Sequence, residues 1–186
     1  ILRVYEDAGI PAAYWQIGFE DVPDELLPDM PKHDVVWLAS MYNENRRNLN
    51  EVLKQFDYAL YQPGDSTQTL YNFGKAKAIY RNAKIAISNN DYPEKSALVS
   101  NRLFQALAAG GCVVLQEHIE GLDEKLGIDS KEHYIEWSSL PELHETITTL
   151  LEPTYEGVRK ETSAAGTAFI RENYSFDAQV AKLFEL

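Results

Sequence analysis

One cysteine stands in 186 residues. Cys112 therefore has no intramolecular partner for a disulfide, and its place in an apolar, β-rich run marks it as packing rather than as a nucleophile. Basic residues are outnumbered, with Lys and Arg at 17 against 29 Asp and Glu and a formal net charge of −12. That balance weighs against a broad nucleic-acid or anionic-membrane surface, because counterion-release binding needs clustered cations, while a local basic pocket for one nucleotide is still allowed. The four histidines, His33, His118, His133 and His144, lie far apart without ligand spacing. No Asp-x-Asp or Cys-x-x-Cys occurs either, so no bound metal is expected. The longest run of small and apolar residues, Ala106 to Leu115, is too short and too glycine-interrupted to span a bilayer, and no basic n-region with an apolar core opens the chain. A cytoplasmic protein without a membrane span is expected. Gly-x-Ser-x-Gly, the Walker lysine loop and Gly-x-Gly-x-x-Gly are also missing, which leaves hydrolase, P-loop ATPase and dinucleotide oxidoreductase readings with little support.

What the chain has instead is alternation. Hydrophobic residues at 45% and charged residues at 25% are the proportions of a globular domain. The length suffices for one well-buried α/β domain and is short for two. Apolar β-rich runs fall at Pro11–Ile17, Val35–Ser40, Tyr58–Tyr61, Ile85–Ser88, Cys112–Leu115 and His133–Trp137. Helical periodicity marks Asn45–Gln55, Leu70–Asn82, Val99–Ala109, Leu140–Leu151, Glu156–Glu172 and Phe176–Phe184. The pattern predicts an α/β fold, a Rossmann-like, mainly parallel sheet with helices on both faces. Ser139 with Glu142 makes a capping box ahead of Leu143, Ile147 and Leu150. Ser175 caps a helix whose apolar stripe is Phe176, Val180, Leu183 and Phe184. Gly18 to Lys32, acidic and carrying Pro23, Pro28 and Pro31, reads as a linker. The chain opens on Ile1 and not on Met. Residues 1–31 are accordingly read as the tail of an upstream domain plus linker, with a helix ending at Gly9 and a strand through Tyr14 and Trp15, and residues 32–186 as the Rossmann-like domain.

Parallel α/β sheets bind ligands beyond the carboxyl ends of their strands, which directs attention to the loops after Ser40, Tyr61, Ser88 and Leu115. The segment from Ser100 to Leu115 reads as a helix running through a glycine pair into a buried strand. Leu103, Ala106, Leu107 and Gly110 share one packed face, while Asn101, Arg102 and Gln105 form a polar patch near the helix start. Unpaired N–H groups at a helix start attract phosphate, and Arg102 adds a planar fork of donors that grips two oxygens together. Gly110 or Gly111 supplies the left-handed residue that ends the helix. The alternative is an ordinary surface arginine on an ordinary helix. After Ser40, the stretch Met41-Tyr42-Asn43-Glu44-Asn45-Arg46-Arg47 brings two arginines near the next helix start. Ser40, Arg46 or Arg47, Ser100 and Arg102 together could surround a diphosphate. Against this, Arg46 and Arg47 could pair with Glu44 and Glu51 on a solvated face. Glu117-His118 offers an acid or a base, though an isolated loop histidine is usually only solvated.

Several short pieces follow one another along most of the chain: Gly18-Phe19 with the proline-rich linker, Val35 to Ser40 followed by Arg46, Tyr80-Arg81-Asn82-Ala83-Lys84-Ile85 before a strand, Ser100-Asn101-Arg102-Leu103-Phe104-Gln105-Ala106 with Gly110, the Glu142-Leu143 helix, and Asn173-Tyr174-Ser175-Phe176. In that order they resemble the C-terminal half of two-domain glycosyltransferases of the GT-B fold, especially the spore-maturation CgeB-like, group 1 branch. The resemblance implies the donor-binding half of an enzyme that moves a sugar from a nucleotide-diphosphate sugar to an acceptor. It implies an acceptor and its base held by an upstream N-terminal domain, and no cofactor or metal besides the donor itself. Arg102 and Ser100 would face the diphosphate with Arg46 assisting, and the position of Gln105 would face the ribose or sugar. With Ser40 and Asn101, these residues make the expected nucleotide-sugar-binding set.

Two departures stand out. Many group 1 relatives carry Glu where this chain has Gln105, and a second Glu eight residues earlier, where it has Ala97. A neutral amide contacts a hydroxyl more weakly than a carboxylate does. They motivate a second reading, a degenerate domain of the same fold that binds without turnover; a third is an unrelated flavodoxin-like regulatory module. Arg102, taken as an exposed residue at a helix start, is expected to be removable at little cost in stability.

Overall fold

The computed structural model of the chain describes residues 19, 21–62, 73–90 and 99–183. The strand expected at Pro11–Ile17, the helix expected to end at Gly9, and Ala97 lie outside them. Strands β1 (His33–Leu38), β2 (Tyr58–Tyr61), β3 (Ala83–Ser88), β4 (Val113–Glu117) and β5 (Ile135–Trp137) form one sheet in the order β2-β1-β3-β4-β5. Every pairing is parallel, with Val35 opposite Tyr58 and Ile85, and Ile85 opposite Val113. A parallel sheet needs both faces covered, which is why the central strands are apolar almost without break.

The two faces are read out by alternate residues. Val35, Trp37, Ile85, Ile87, Val113 and Leu115 point into one layer, where they meet Leu49 and Leu53 of α1 (Glu44–Leu53) and Leu143, Ile147 and Leu150 of α5 (Leu140–Leu151). Val36, Leu38, Ala86 and Val114 point into the other. That layer holds α2 (Phe73–Arg81), α3 (Asn101–Ala109), α4 (Leu122–Leu126) and α6 (Glu156–Tyr174), and α7 (Phe176–Leu183) follows α6 after Ser175. The expected Rossmann-like architecture is therefore present. The chain turns one way from β1 to β2 and the other way from β2 through β3 to β5, so the strand order reverses between β1 and β3. Among the described residues, no helix is long and apolar enough to cross a membrane.

Local chemistry accounts for the element ends. Asn43, Ser100 and Ser139 each sit in extended backbone and accept a hydrogen bond from a first-turn N–H of α1, α3 and α5. In the capping box at α5, Glu142 N donates to Ser139 Oγ at 3.4 Å, but the returning bond goes one residue further back, from Ser138 N to Glu142 Oε2 at 2.8 Å. Gly110 and Gly111 both have positive φ, and a Cβ on Gly111 would lie 3.2 Å from the Arg81 carbonyl oxygen. The backbone thus makes its turn from α3 into β4 directly against the end of α2.

Two features near the ends of the domain stand out. On the stripe of the last helix, Phe176 and Val180 are 37% and 45% exposed. Helical spacing alone identified that face, and no described element packs over it. The linker, for its part, is attached to the domain. Phe19 is buried in the core and bridges to Ser175, and Asp24–Leu26 form a 3₁₀ turn. Lys77 Nζ, on the buried side of α2, meets Asp21 Oδ1 at 2.8 Å, Asp24 Oδ1 at 2.9 Å and the Val22 carbonyl.

Candidate functional site

The strand ends at the reversal between β1 and β3 carry a polar network. α3 brings Arg102 to it from one face. Arg102 Nη1 donates to the Leu38 carbonyl at 2.9 Å and Nε to Ser100 Oγ at 3.0 Å, while the same hydroxyl oxygen caps the helix by accepting from Arg102 N at 3.3 Å. α1 brings Arg46 from the other face. Its Nη1 donates to the Ser40 carbonyl at 2.8 Å, and its guanidinium stacks over the Tyr42 ring at 4.8 Å. Two cations from opposite layers thus hold the carboxyl end of the same strand.

A second set of bonds ties this point to β3 and β4. Trp37 Nε1 donates to Asn89 Oδ1 at 3.2 Å, Ser100 N donates to Asn90 Oδ1 at 3.2 Å, and Asn90 N donates to Glu117 Oε2 at 3.2 Å. The start of α3 is therefore fastened through Asn90 to the strand that follows it. Just below, Ser88 and Gln116 are register partners on β3 and β4. Ser88 Oγ and Gln116 Oε1 are buried without a hydrogen bond, as is the Tyr80 hydroxyl. Burial pushes the Tyr80 phenol well above its usual range, with Arg102 pulling weakly the other way. Unpaired buried polar atoms are costly, and three of them in the layer beneath α3 are the kind of local strain that functional sites carry.

Of the six residues expected to bind a nucleotide sugar, Ser100 and Arg102 are in direct contact, and Ser40 and Arg46 meet through the Ser40 carbonyl. Asn101 is exposed and Gln105 half-buried on α3. The alternative pairing of the arginines with Glu44 and Glu51 fails for Arg46, which is 1% exposed, while Glu51 bonds Lys54 at 2.7 Å. Arg46 stands at i, i+3 and i+7 with Leu49 and Leu53, so it shares their buried face and its head finds a strand-end carbonyl. Arg47 stays exposed. Nor is Arg102 an exposed residue: it is half-buried and bonded to the sheet, so its removal has a structural cost. His118 Nδ1 lies 2.9 Å from Glu136 Oε1, away from both arginines in the network above. Cys112 is buried, and burial pushes its thiol up to about 12, in keeping with a packing role.

Sequence reasoning pointed to the loop after Ser88 without giving Asn89 or Asn90 a task. The available signal was three polar residues, Ser88 to Asn90, directly following an apolar strand at the point where α/β sheets bind ligands. Among the described residues, no group of three His, Cys, Asp or Glu side chains is placed to hold a metal ion.

A doubly wound parallel sheet with an arginine network at its switch point defines the class, a Rossmann-like α/β domain. The family follows from comparison: residues 46–185 match the family described as glycosyl transferase-like, and the chain belongs to it. No curated protein matches the chain. Among solved structures, it is similar to a sucrose-phosphate synthase from Thermosynechococcus elongatus, with a TM-score of 0.59 at 12% identity over 99% of this chain and 55% of that one. It is also similar to TarM, with a TM-score of 0.51 at 15% identity over 88% of this chain and 37% of that one. These likenesses are of fold. The chain spans about half the length of the first of these proteins and less of the second. The strand order is shared with flavodoxin-like sheets, so topology alone leaves that third reading open. The family match turns the reading to a glycosyltransferase domain.

Proposed function

We propose that this chain is the donor-binding half of a glycosyltransferase, holding a nucleotide-diphosphate sugar at the carboxyl ends of β1 and β3. The observation that carries the reading is Arg102, half-buried beside Ser100 and fastened to the Leu38 carbonyl at the carboxyl end of β1, in a chain of net charge −12; Arg46, expected to assist at the diphosphate, is 1% exposed and braces the same strand end from behind instead. Arg102 is held by two protein bonds before any ligand arrives, so it presents positive charge without reorganisation. Ser100 accepts twice through its oxygen and keeps its hydroxyl proton as a donor for a phosphate oxygen. Asn101 and Gln105, on the same helix, are assigned to the ribose or sugar hydroxyls.

In the reaction, the bond between the sugar's anomeric carbon and the diphosphate oxygen breaks as an acceptor hydroxyl attacks that carbon. Negative charge grows on the leaving diphosphate, where Arg102 and the start of α3 stabilise it. The acceptor and the base that takes its proton are assigned to an upstream domain, with residues 1–31 as its tail and the linker. The protein is placed in the cytoplasm, where nucleotide sugars are the donors at hand.

The first test is the melting temperature of the chain with millimolar UDP, GDP and ADP. A nucleotide present at about 100 times its dissociation constant adds roughly 2.7 kcal/mol. A selective upward shift is expected, and it names the base. Arg102→Lys keeps the charge but loses the fork, and the shift should shrink measured against the variant's own ligand-free value. Gln105→Glu should tighten binding several-fold, since a charge-assisted hydrogen bond is about twice as strong as a neutral one. No shift with any nucleotide, in parent or Gln105→Glu, would leave the degenerate reading that Ala97 and Gln105 motivate.

A further inference from the structure

We propose that a groove of about 800 Å³ at the amino end of the sheet binds a small organic anion, a phosphate or carboxylate carried on an apolar body. The groove opens between the start of β3, the Gly110-Gly111 turn into β4, the end of α5 and the first half of α6. The diphosphate site lies at the carboxyl ends of the strands, and the six residues of β3 put roughly 20 Å between the two. None of the residues assigned to the nucleotide sugar lines the groove. Its walls are small and apolar, with Ala83, Ala164 and Ala168 beside Leu151 and Pro153, and its size is that of pockets that enclose a small organic ligand.

The charged residues here reverse the sign of the chain. Lys84, Arg159 and Lys160 line the groove against one described carboxylate, Glu156, in a protein of net charge −12. The balance stays positive when Asp34, which meets Lys84 at 2.7 Å, is counted. Arg159 is set in place by the fold: its Nη1 donates to the Leu150 and Glu152 carbonyls at the end of α5, and its Nε and Nη2 have no described hydrogen-bond partner. A guanidinium anchored through one nitrogen keeps the others for an oxyanion. Glu156 shows where that oxyanion sits. Its Oε1 lies 2.6 Å from Lys160 Nζ, and the hydrogen bond from Lys160 holds its carboxyl below the ordinary carboxylate value, with Arg159 and Lys84 near enough to add to the shift. Three cations thus already converge on a carboxylate of the chain itself, on a flexible arm more than half exposed to solvent. An incoming anion takes over this position as Glu156 swings out, and its apolar part removes the walls of the groove from water.

Phenyl phosphate and phenylacetate are the probes, with inorganic phosphate and benzyl alcohol as controls. Each is titrated at constant ionic strength into the ¹⁵N-labelled chain while the backbone amides of Gly110, Gly111 and Thr167 are followed. Saturable shifts of these amides with the aromatic anions are expected, and the tighter binder names the anionic group. Glu156→Gln removes the internal competitor and should tighten binding by up to about fivefold, and Lys84→Gln should weaken it by a similar factor, the worth of one exposed ion pair. Both side chains are exposed, so both variants should melt close to the parent. Absence of saturable shifts with both aromatic anions, in the parent and in Glu156→Gln, overturns the proposal. An equal response to inorganic phosphate also overturns it, because the cations would then collect ions without the groove, as does an equal response to benzyl alcohol, which would make charge irrelevant. Saturable shifts that neither substitution alters place the ligand elsewhere and overturn it too. Titration of the same sample with UDP, followed at Ser100 and Arg102, reads the donor site separately, so either site can fail without the other.

Discussion

Arg46 and Arg102 reach the same strand end, but burial gives them different work. Arg46 is sealed between α1 and the sheet, with its guanidinium on Tyr42 and its Nη1 on the Ser40 carbonyl. Replacing it with Met keeps much of the packing and removes the donor, leaving the carbonyl without that bond. Such an orphaned acceptor costs about 1–3 kcal/mol, and urea unfolding of Arg46→Met should show a loss of that size. A loss under about half a kcal/mol would return Arg46 to the surface role that its sequence context allows. Cys112 offers a second test at this scale. A thiol pushed to about 12 by burial is almost entirely protonated at neutral pH, and the thiolate is the reactive form. Ellman's reagent should leave native protein unmodified and titrate one thiol after denaturation. Modification of the folded chain at the rate of a free peptide thiol would contradict the packing assignment.

Close approach governs the elements. α6 packs closely on α3 at Gly166, where a Cβ would meet Leu107 Cδ2 at 2.8 Å and come closer still to the His133 carbonyl oxygen. A methyl group there must push α6 away from the loop leading to β5. Gly166→Ala should cost about 1–3 kcal/mol despite alanine's better helix propensity, measured by the urea midpoint. A stabilised variant would mean that the helix shifts freely. Nothing in the sequence marks Gly166, because its reason lies in residues that are distant along the chain. What periodicity could find, it found: β2 and α5 fall on their expected spans, and the other strands within two residues. A strand buried on both faces is written as a continuous apolar run, and a capped helix carries its own start signal. α4 escaped notice because five residues between the left-handed Gly121 and Gly127 show no period. Phe176 and Val180 share a face of α7 and stay partly exposed, because spacing tells which residues share a face and not what covers it.

At the scale of the molecule, the switch point was legible as a place but not as a mechanism of assembly. Alternating strands and helices put the ligand end of the sheet near Ser40 and Ser88, and Arg102 followed from the helix start. That Arg102 bonds Leu38, or that Asn90 couples Ser100 to Glu117, depends on strand order, which no local pattern states. The same holds for the acidic segment before β1, whose composition reads as a loose linker and whose structure is a clasp. Asp21 and Asp24 close over Lys77, Arg81 reaches Asp24 Oδ2 at 2.5 Å, and Arg171 of α6 lies 3.5 Å from Asp21. The segment entering the domain is thereby held to α2 and α6, and the clasp should open in acid. The hydrogen bond from Lys77 holds the Asp24 carboxyl below its ordinary 3.8, with Arg81 adding to the shift. A lowered carboxylate contributes stability that is full above the unfolded-state value and is lost as the pH falls through the folded-state value. Asp24→Asn should therefore melt lower than the parent near neutrality. The gap should close as the pH falls below the ordinary carboxylate value and through the lowered one, where the parent's carboxyl protonates as well. Because Asp24 is more than half exposed, the pair is screened, and added salt should narrow the gap at neutral pH. Melting curves that stay parallel across the range would remove Asp24 from the clasp and leave Lys77 held by Asp21 and the Val22 carbonyl alone.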